Sequence, residues 1–225
     1  MAITTTHLTR AAGLSAVAAG LLFAGVQLNH PALTLDFITT TEFAIRQTMK
    51  VAFTVLALVG ITGMYLAQVR KSGVLGLVGY LILAAGFLTM LTIEVAGLVI
   101  LPALVHSAPG YVSDVIAVAT NSAATGDIGR MATLSLLGGV LYMAGGLVFG
   151  IALYRAHVLA RWACVLLAVA TPISIAIPLL PWINQRLFAV PTGVALVGLG
   201  YSLWRQQRTQ GAVEPSPLAE SAGVR

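Results

Sequence analysis

One acidic residue, Glu94, lies inside a long apolar stretch and is the strongest candidate for chemistry in this sequence. Burying a carboxylate without a partner is costly, and acidic residues within membrane segments usually mark binding sites or proton pathways. If the protein is an enzyme, Glu94 is the candidate catalytic residue and would act as a general acid. A structural ion pair with a nearby cation is the alternative interpretation of the same residue.

Two cations are expected beside Glu94. The second and third apolar segments are joined by a short turn near residues 71 and 72, so we expect them to form an antiparallel hairpin. Counting residues outward from this turn places Glu94 level with Met49, and therefore next to Lys50 and Arg46. We predict that Lys50 and Arg46 pair with Glu94 and contribute to the same binding site.

Further polar residues are expected at the same membrane level and could line an outward-facing cavity. These candidate binding residues are Gln27, His30, His106 and Tyr142. His30, His106 and Glu94 carry atoms that can ligate zinc. The sequence has no pair of histidines at helical spacing of the HExxH kind, and His30 and His106 fall in predicted loops. We therefore predict neither a metal site nor a cofactor.

The elements that position these residues are apolar segments long enough to cross a membrane. Hydrophobic residues make up 58% of the 225-residue chain and charged residues 8%, against about 25% in soluble domains. A membrane-spanning helix needs about 20 apolar residues. We predict an all-α membrane bundle over residues 1–205, followed by a disordered cytoplasmic tail over residues 206–225. Six segments qualify as transmembrane helices, at about 11–28, 51–69, 74–104, 132–154, 162–180 and 187–204.

The distribution of positive charge predicts the orientation of this bundle. Six spans place both termini on one side, and cytoplasmic loops carry an excess of Lys and Arg. The opposite side has only Arg46, Lys50, Arg130 and Arg186. We therefore predict a multi-pass protein whose termini are both cytoplasmic. The terminal side has about twice as many cations: Arg10, Arg70, Lys71, Arg155, Arg161, Arg205, Arg208 and Arg225.

A small extracytoplasmic cap is expected on the other side of the membrane. The third segment is uncharged except for Glu94 over about 31 residues, or ~46 Å of helix, which exceeds the ~30 Å hydrocarbon core. The second segment extends backward to Thr41 without a helix breaker, so both helices should project from the membrane together. The stretch 111–121 has Val112, Val115 and Ile116 at helical spacing and predicts an amphipathic helix that covers them.

Other features limit the possible functions. The sequence has no P-loop, dinucleotide-binding fingerprint, GxSxG nucleophile or CxxC motif, and Cys164 is its only cysteine. The net charge of +5 is explained by orientation, and no basic water-facing domain is available to bind nucleic acid. Gly146 and Gly150 form a small-xxx-small pair, which favours close packing either within the bundle or between two copies of the chain.

Three stretches of the sequence carry a family resemblance: LTRAAGLSAVAAGLLFAGVQLNHP, GITGMYLAQVRKSGVLGLVGYL and GGLVFGIALYRAHVLARWA. Together they resemble a group of small multi-spanning membrane proteins of actinobacteria that have no known activity. The resemblance implies a bacterial cytoplasmic membrane and a bundle rich in glycine and alanine. It implies no functional residue.

Three functions stay open at this point. The first is binding or transport of a small, lipophilic molecule through an outward-facing cavity near Glu94, with membrane lipid as the surrounding partner. The second is a membrane-embedded enzyme, such as a cyclase or isomerase of an isoprenoid-like substrate, with Glu94 as acid and Tyr142 or Gln27 as orienting partner. The third is a non-catalytic accessory or immunity subunit. We rank binding or transport first, because one carboxylate beside two cations is weak support for acid catalysis.

Overall fold

A computed structural model describes residues 4–173, 187 and 189–211, and all regular secondary structure in these ranges is helical. Threonines cap the N-termini of three helices. The side chains of Thr4, Thr34 and Thr40 each accept a hydrogen bond from the backbone N–H three residues later. The helices are α1 (Thr5–Gln27), α2 (Leu35–Ile38), α3 (Thr41–Leu66), α4 (Val69–Val99), α5 (Leu101–Leu104), α6 (Pro109–Ala119), α7 (Met131–Ala156), α8 (Arg161–Ala170) and α9 (Ala189–Gly211).

Six of the described helices form a closed ring: α1, α3, α4, α7, α8 and α9. In order around the ring, α1 packs on α3, α3 on α4, α4 on α7, α7 on α8, α8 on α9, and α9 returns to α1. Successive helices of the ring run in opposite directions. One end of the bundle, which we call the terminal end, contains the start of α1 and the end of α9. The other, which we call the cap end, contains the short helices α2, α5 and α6.

In the part of the chain that the structure describes, four helices are long and apolar enough to cross a membrane: α1, α3, α4 and α7. They correspond to the first four predicted segments, and these apolar helices fit an integral membrane protein. The fifth predicted segment is represented by α8, after which residues 174–186 lie outside the described part of the chain. The sixth is represented by α9, which is less apolar and continues to Gly211. Residues 212–225 of the predicted tail lie outside the described residues, and membrane crossing by α8 and α9 stays a prediction.

The predicted hairpin of α3 and α4 is present. The short turn between them is followed by Gly73, whose φ of 57° lies in the left-handed region that glycine tolerates. This residue produces a kink near the start of α4. Beyond this point the two helices run side by side: Tyr65 stacks on Tyr80 with ring centroids 4.9 Å apart, and the Thr62 hydroxyl lies 3.1 Å from that of Tyr80. Both helices are long, so their cap ends extend together.

Glycines allow the helices of the ring to approach closely. Gly79 of α4 lies against the backbone of Phe149, and Gly145 of α7 lies against the backbone of Leu83. In lipid, the hydrophobic effect does not drive helices together, so their association depends on van der Waals packing. Close approach at glycine increases this packing energy. Gly146 and Gly150 are buried against Thr171 and Ala168, respectively. Their close-packed face is therefore occupied by α8 and its end within the same chain, while homo-oligomer formation stays a prediction.

A second apolar core lies at the cap end. Helix α6 corresponds to the amphipathic helix expected over residues 111–121, and Val112 and Val115 are buried on its inner face. They pack with Phe43 of α3 and Leu101 of α5, and with Ile38, Val105 and Ile128. The cap predicted from helix length and hydrophobic spacing is therefore present as a packed unit, although the side of the membrane that it faces stays a prediction.

Candidate ligand-binding site

A cavity of about 970 Å³ lies at the cap end of the ring. Its wall is formed by the C-terminal parts of α1, α4 and α8, the N-terminal parts of α3, α7 and α9, and the inner face of the cap. This volume is at the upper end of the range of about 300–1,000 Å³ that is typical of small-molecule sites. The ring therefore has room for a small-molecule ligand at its cap end.

The distribution of side-chain sizes explains why the cavity is at this end. Toward the terminal end the ring is filled by large buried side chains, including Phe149, Leu153 and Met64. At the cap end, α7 contributes small residues instead, such as Ser135 and Gly139, and Gly139 has open space where a Cβ atom would lie. Antiparallel helices that carry large residues at one end and small ones at the other leave space at the second end.

An aromatic cluster forms the floor of the cavity. Phe23 stacks on Phe53 with centroids 4.3 Å apart, Phe53 meets Phe87 at 5.8 Å, and Phe87 meets Tyr142 at 6.0 Å. Phe23 and Tyr142 reach the cavity surface, whereas Phe53 and Phe87 are buried beneath it. The floor is therefore mostly apolar, with the Tyr142 hydroxyl directed toward Thr192 of α9.

Glu94 lies in the cavity wall and is held by two residues of α3. Lys50 Nζ is 3.8 Å from Glu94 Oε2, and the side chains of Lys50 and Glu94 are 16% and 19% exposed. The Gln47 amide nitrogen donates to the backbone oxygen of Glu94 at 3.1 Å and also to its carboxylate. Gln47 Oε1 in turn accepts a hydrogen bond from Lys50 at 3.3 Å. These three side chains form one polar cluster in a mostly apolar wall.

The pairing of Glu94 with Lys50 is the one that the hairpin register predicts, but the sequence interpretation missed Gln47. This glutamine is 5% exposed and fills the space above Gly97, where a Cβ atom would collide with its amide nitrogen. Its spacing from Lys50 places both on the same face of α3, which is the signal that could have identified it. A buried glutamine beside an ion pair satisfies polar atoms that the pair alone would leave without partners.

Arg46 does not pair with Glu94, so this part of the prediction is wrong. The Arg46 guanidinium forms an ion pair with Glu42 at 2.8 Å, one turn away on α3. It also donates to the backbone oxygens of Val26 at 3.1 Å and Asn29 at 3.2 Å, at the end of α1. The unpaired carbonyl groups at a helix C-terminus attract a cation. Arg46 therefore holds α1 to α3 and lies outside the cavity wall.

The remaining predicted site residues are divided between the cavity and its surroundings. Gln27 and Tyr142 line the cavity. His30 lies outside the described wall, where its Nδ1 is 2.8 Å from the Pro31 carbonyl oxygen and its ring meets Phe37 edge-on. His106 is exposed in the segment that follows α5. Within residues 4–173, 187 and 189–211, no three His, Cys, Asp or Glu side chains are close enough to hold a metal ion.

Asp114 connects the cap helix to the loop that follows it. Its carboxylate accepts hydrogen bonds from the Thr125 amide at 2.8 Å, the Thr125 hydroxyl at 3.0 Å and the Gly126 amide at 2.9 Å. The bonds from Thr125 are the main reason that the pKa of Asp114 lies below its ordinary value. Neighbouring residues of the same cap, including Ile116 and Asn121, line the cavity, so this contact holds part of the wall in place.

We expect the contact made by Asp114 to weaken in acid. Because the folded-state pKa is lowered, the contact stabilises the cap at pH above 3.8, the ordinary value, and this contribution is lost as pH falls through the folded pKa.

Replacing Asp114 with Ala should make the Thr125 and Gly126 amides exchange hydrogen about tenfold faster at neutral pH. Asp127→Ala is the matched control, since Asp127 accepts a hydrogen bond from the Gly129 amide in the same loop. Equal exchange in both variants would contradict the prediction.

Comparison with known proteins identifies no relative of this chain. No family model matches the sequence, and no curated protein and no solved structure matches it. The fold defines the class, a helical bundle whose apolar helices fit an integral membrane protein. The residues of the cavity wall are therefore the basis for a functional proposal.

Proposed function

We propose that this chain is a multi-pass protein of the bacterial cytoplasmic membrane that binds, or transports, a small lipophilic molecule in the cavity beside Glu94. The observation that carries this proposal is the cavity itself, about 970 Å³ with a mostly apolar wall and one polar cluster. Apolar walls with a few convergent polar groups are typical of ligand sites. A lipophilic molecule can reach such a site from the surrounding membrane.

The proposal includes six membrane crossings with both termini in the cytoplasm. Alternating helix directions around the ring support this topology, because α8 and α9 complete the ring as antiparallel neighbours of α7 and α1. The cations Arg70, Lys71, Arg155 and Arg161 all lie at the terminal end of the ring, as the positive-inside rule requires of a cytoplasmic face. The cap and the cavity then face outward.

The geometry gives less support to the two other functions. A general acid has to protonate its substrate, but the Glu94 carboxylate accepts a hydrogen bond from Gln47 and faces the Lys50 ammonium. The contacts of Glu94 Oε2 with its own chain account for this residue without acid chemistry. An accessory subunit without a ligand would be expected to have a filled interior, and the cavity argues against that. Binding accounts for both the cavity and the ion pair.

Identification of the bound molecule tests this proposal directly. The protein would be extracted gently from its membrane, examined by native mass spectrometry, and any retained compound identified chemically. We expect one defined lipophilic compound in addition to bulk phospholipid. An empty protein, or one that carries only the phospholipids of the bulk membrane, would argue for the accessory role.

Filling the cavity should prevent ligand binding. Gly139 lines the cavity with open space beside its Cα atom, so Gly139→Trp should place an indole ring in the ligand volume and lower retention of the compound at least about tenfold. Gly25→Trp is the matched control, because Gly25 also has open space beside it but lies outside this cavity. The measurement is the ligand-bound fraction in the native mass spectrum. Equal retention by both variants would place the ligand elsewhere.

A further inference from the structure

The charges in the cavity wall restrict the kind of ligand that fits. Among the described residues of the wall, Lys50 and Glu94 are the charged ones, and they carry opposite charges 3.8 Å apart. Arg46, the nearest other cation on α3, is held by Glu42 and by α1 outside the wall. The described wall is therefore neutral overall. No charge in the described wall is left over to compensate an ionic head group, and an uncompensated charge among apolar side chains is costly.

The hydrogen-bonding capacity of the polar cluster is partly used within the protein. Both amide hydrogens of Gln47 are used, because its nitrogen donates twice to Glu94, and its oxygen accepts one hydrogen bond from Lys50. An ammonium group has three hydrogens and a carboxylate has two oxygens. Lys50 therefore keeps a hydrogen for another acceptor, and Glu94 Oε1 receives no hydrogen bond from the described residues.

We propose that the ligand is a neutral lipophile with a hydroxyl head group, which accepts a hydrogen bond from Lys50 and donates one to Glu94 Oε1. This inference rests on the proposed function and specifies the chemistry of the molecule that the cavity takes. The adjacent donor and acceptor match the two roles of a single hydroxyl group. The hydrocarbon part of the ligand lies along the apolar wall, against side chains such as Met90, Ile93 and Val140.

Other head groups fit this pair less well. A carboxylate would face the negative charge of Glu94, and a protonated amine would face Lys50. A ketone or an ether can accept from Lys50 but offers no hydrogen to Glu94. A plain hydrocarbon leaves both polar groups without a partner after it displaces water from them, and unsatisfied buried polar groups are penalised.

A series of ligands with one chain length tests the head-group preference. Tetradecanol, tetradecanoate, tetradecylamine and tetradecane would be added to the purified full-length protein at equal mole fraction in detergent micelles. Bound fractions would be measured by native mass spectrometry at a pH where the acid and the amine are both ionised. We expect tetradecanol to bind at least about tenfold more tightly than each of the other three, which corresponds to about 1.4 kcal/mol.

A variant without the ion pair tests whether these residues cause the preference. In the double variant Lys50→Met and Glu94→Met, the charges are removed together and side-chain volume is nearly kept. We expect tetradecanol and tetradecane to bind this variant equally. The ligand series on the unmodified protein tests the inference even if the double variant does not fold.

The possible outcomes separate this inference from the proposed function. Binding of the acid, the amine or the hydrocarbon as tightly as the alcohol would overturn the hydroxyl assignment while keeping a lipophile site. An unchanged alcohol preference in the double variant would remove Lys50 and Glu94 from head-group recognition. Binding of none of the four compounds would overturn the assignment and count against the proposed function as well.

Discussion

Replacing Lys50 with methionine is expected to lower the free energy of unfolding by about 3–5 kcal/mol. The substitution leaves Glu94 in a mostly apolar wall without the cation that lies 3.8 Å from its carboxylate. It also removes the hydrogen bond that Gln47 Oε1 accepts from Lys50. Only 19% of the Glu94 side chain is exposed, so solvent can replace little of the lost interaction. Reversible unfolding in mixed micelles measures the effect.

The double variant Lys50→Met and Glu94→Met separates the cost of an unpaired charge from the contribution of the pair. Replacing a buried ion pair by apolar residues of similar size is often neutral or stabilising. We therefore expect the double variant to recover most of the stability that the single variant loses, at least about 2 kcal/mol. If the two variants are equally unstable, Lys50 stabilises the fold through packing, and its charge has little effect.

The pairing of Glu94 with Lys50 could be predicted from sequence because helix geometry is regular. In a tight antiparallel hairpin, a fixed rise per residue on both arms sets which residues face each other. The same register accounts for Tyr65 beside Tyr80, a pair that lies much nearer to the turn. The cap helix was predictable for a similar reason, since Val112 and Val115 repeat at the spacing of one buried helical face.

The position of Arg46 shows where this reasoning fails. Residue counting gives the height of a side chain along a helix but not the direction in which a long, flexible side chain extends. Arg46 lies near the height of Glu94, yet it turns toward the carbonyl groups at the end of α1, which the sequence does not place beside α3. The partner of a charged side chain depends on contacts between distant segments, and in this case α1 competes successfully for the guanidinium.

The cavity could be suggested but not measured from the sequence. Polar residues at one level, such as Gln27, Glu94 and Tyr142, indicated that a site could form there, and all three line the cavity. Its volume depends on how closely the helices approach, which is set by pairs of residues far apart in the chain. The contact of Gly145 with Leu83 is one of these pairs, and nothing in either local sequence identifies the other.

Replacing Gly145 with alanine is expected to destabilise the bundle by about 1–3 kcal/mol. The added Cβ atom would lie 2.8 Å from the Leu83 Cβ atom and closer still to the backbone nitrogen and Cα of that residue. Backbone atoms cannot move aside as the end of a side chain can, so α4 and α7 would have to separate. Such a separation would also loosen the nearby contact of Gly86 with Tyr142, which sits in the cavity floor.

Gly139→Ala on the same helix is the matched control for this substitution. Apart from the adjacent residues and the nearby backbone of α7 itself, no atom of the described residues lies within 4 Å of a Cβ placed at Gly139, so the methyl group meets open space. Alanine is also favoured over glycine inside a helix, and we expect this variant to be unchanged or up to about 1 kcal/mol more stable. Thermal unfolding of both variants in the same detergent is the measurement. Because the two substitutions are chemically identical, equal stability would mean that α4 and α7 do not pack through Gly145.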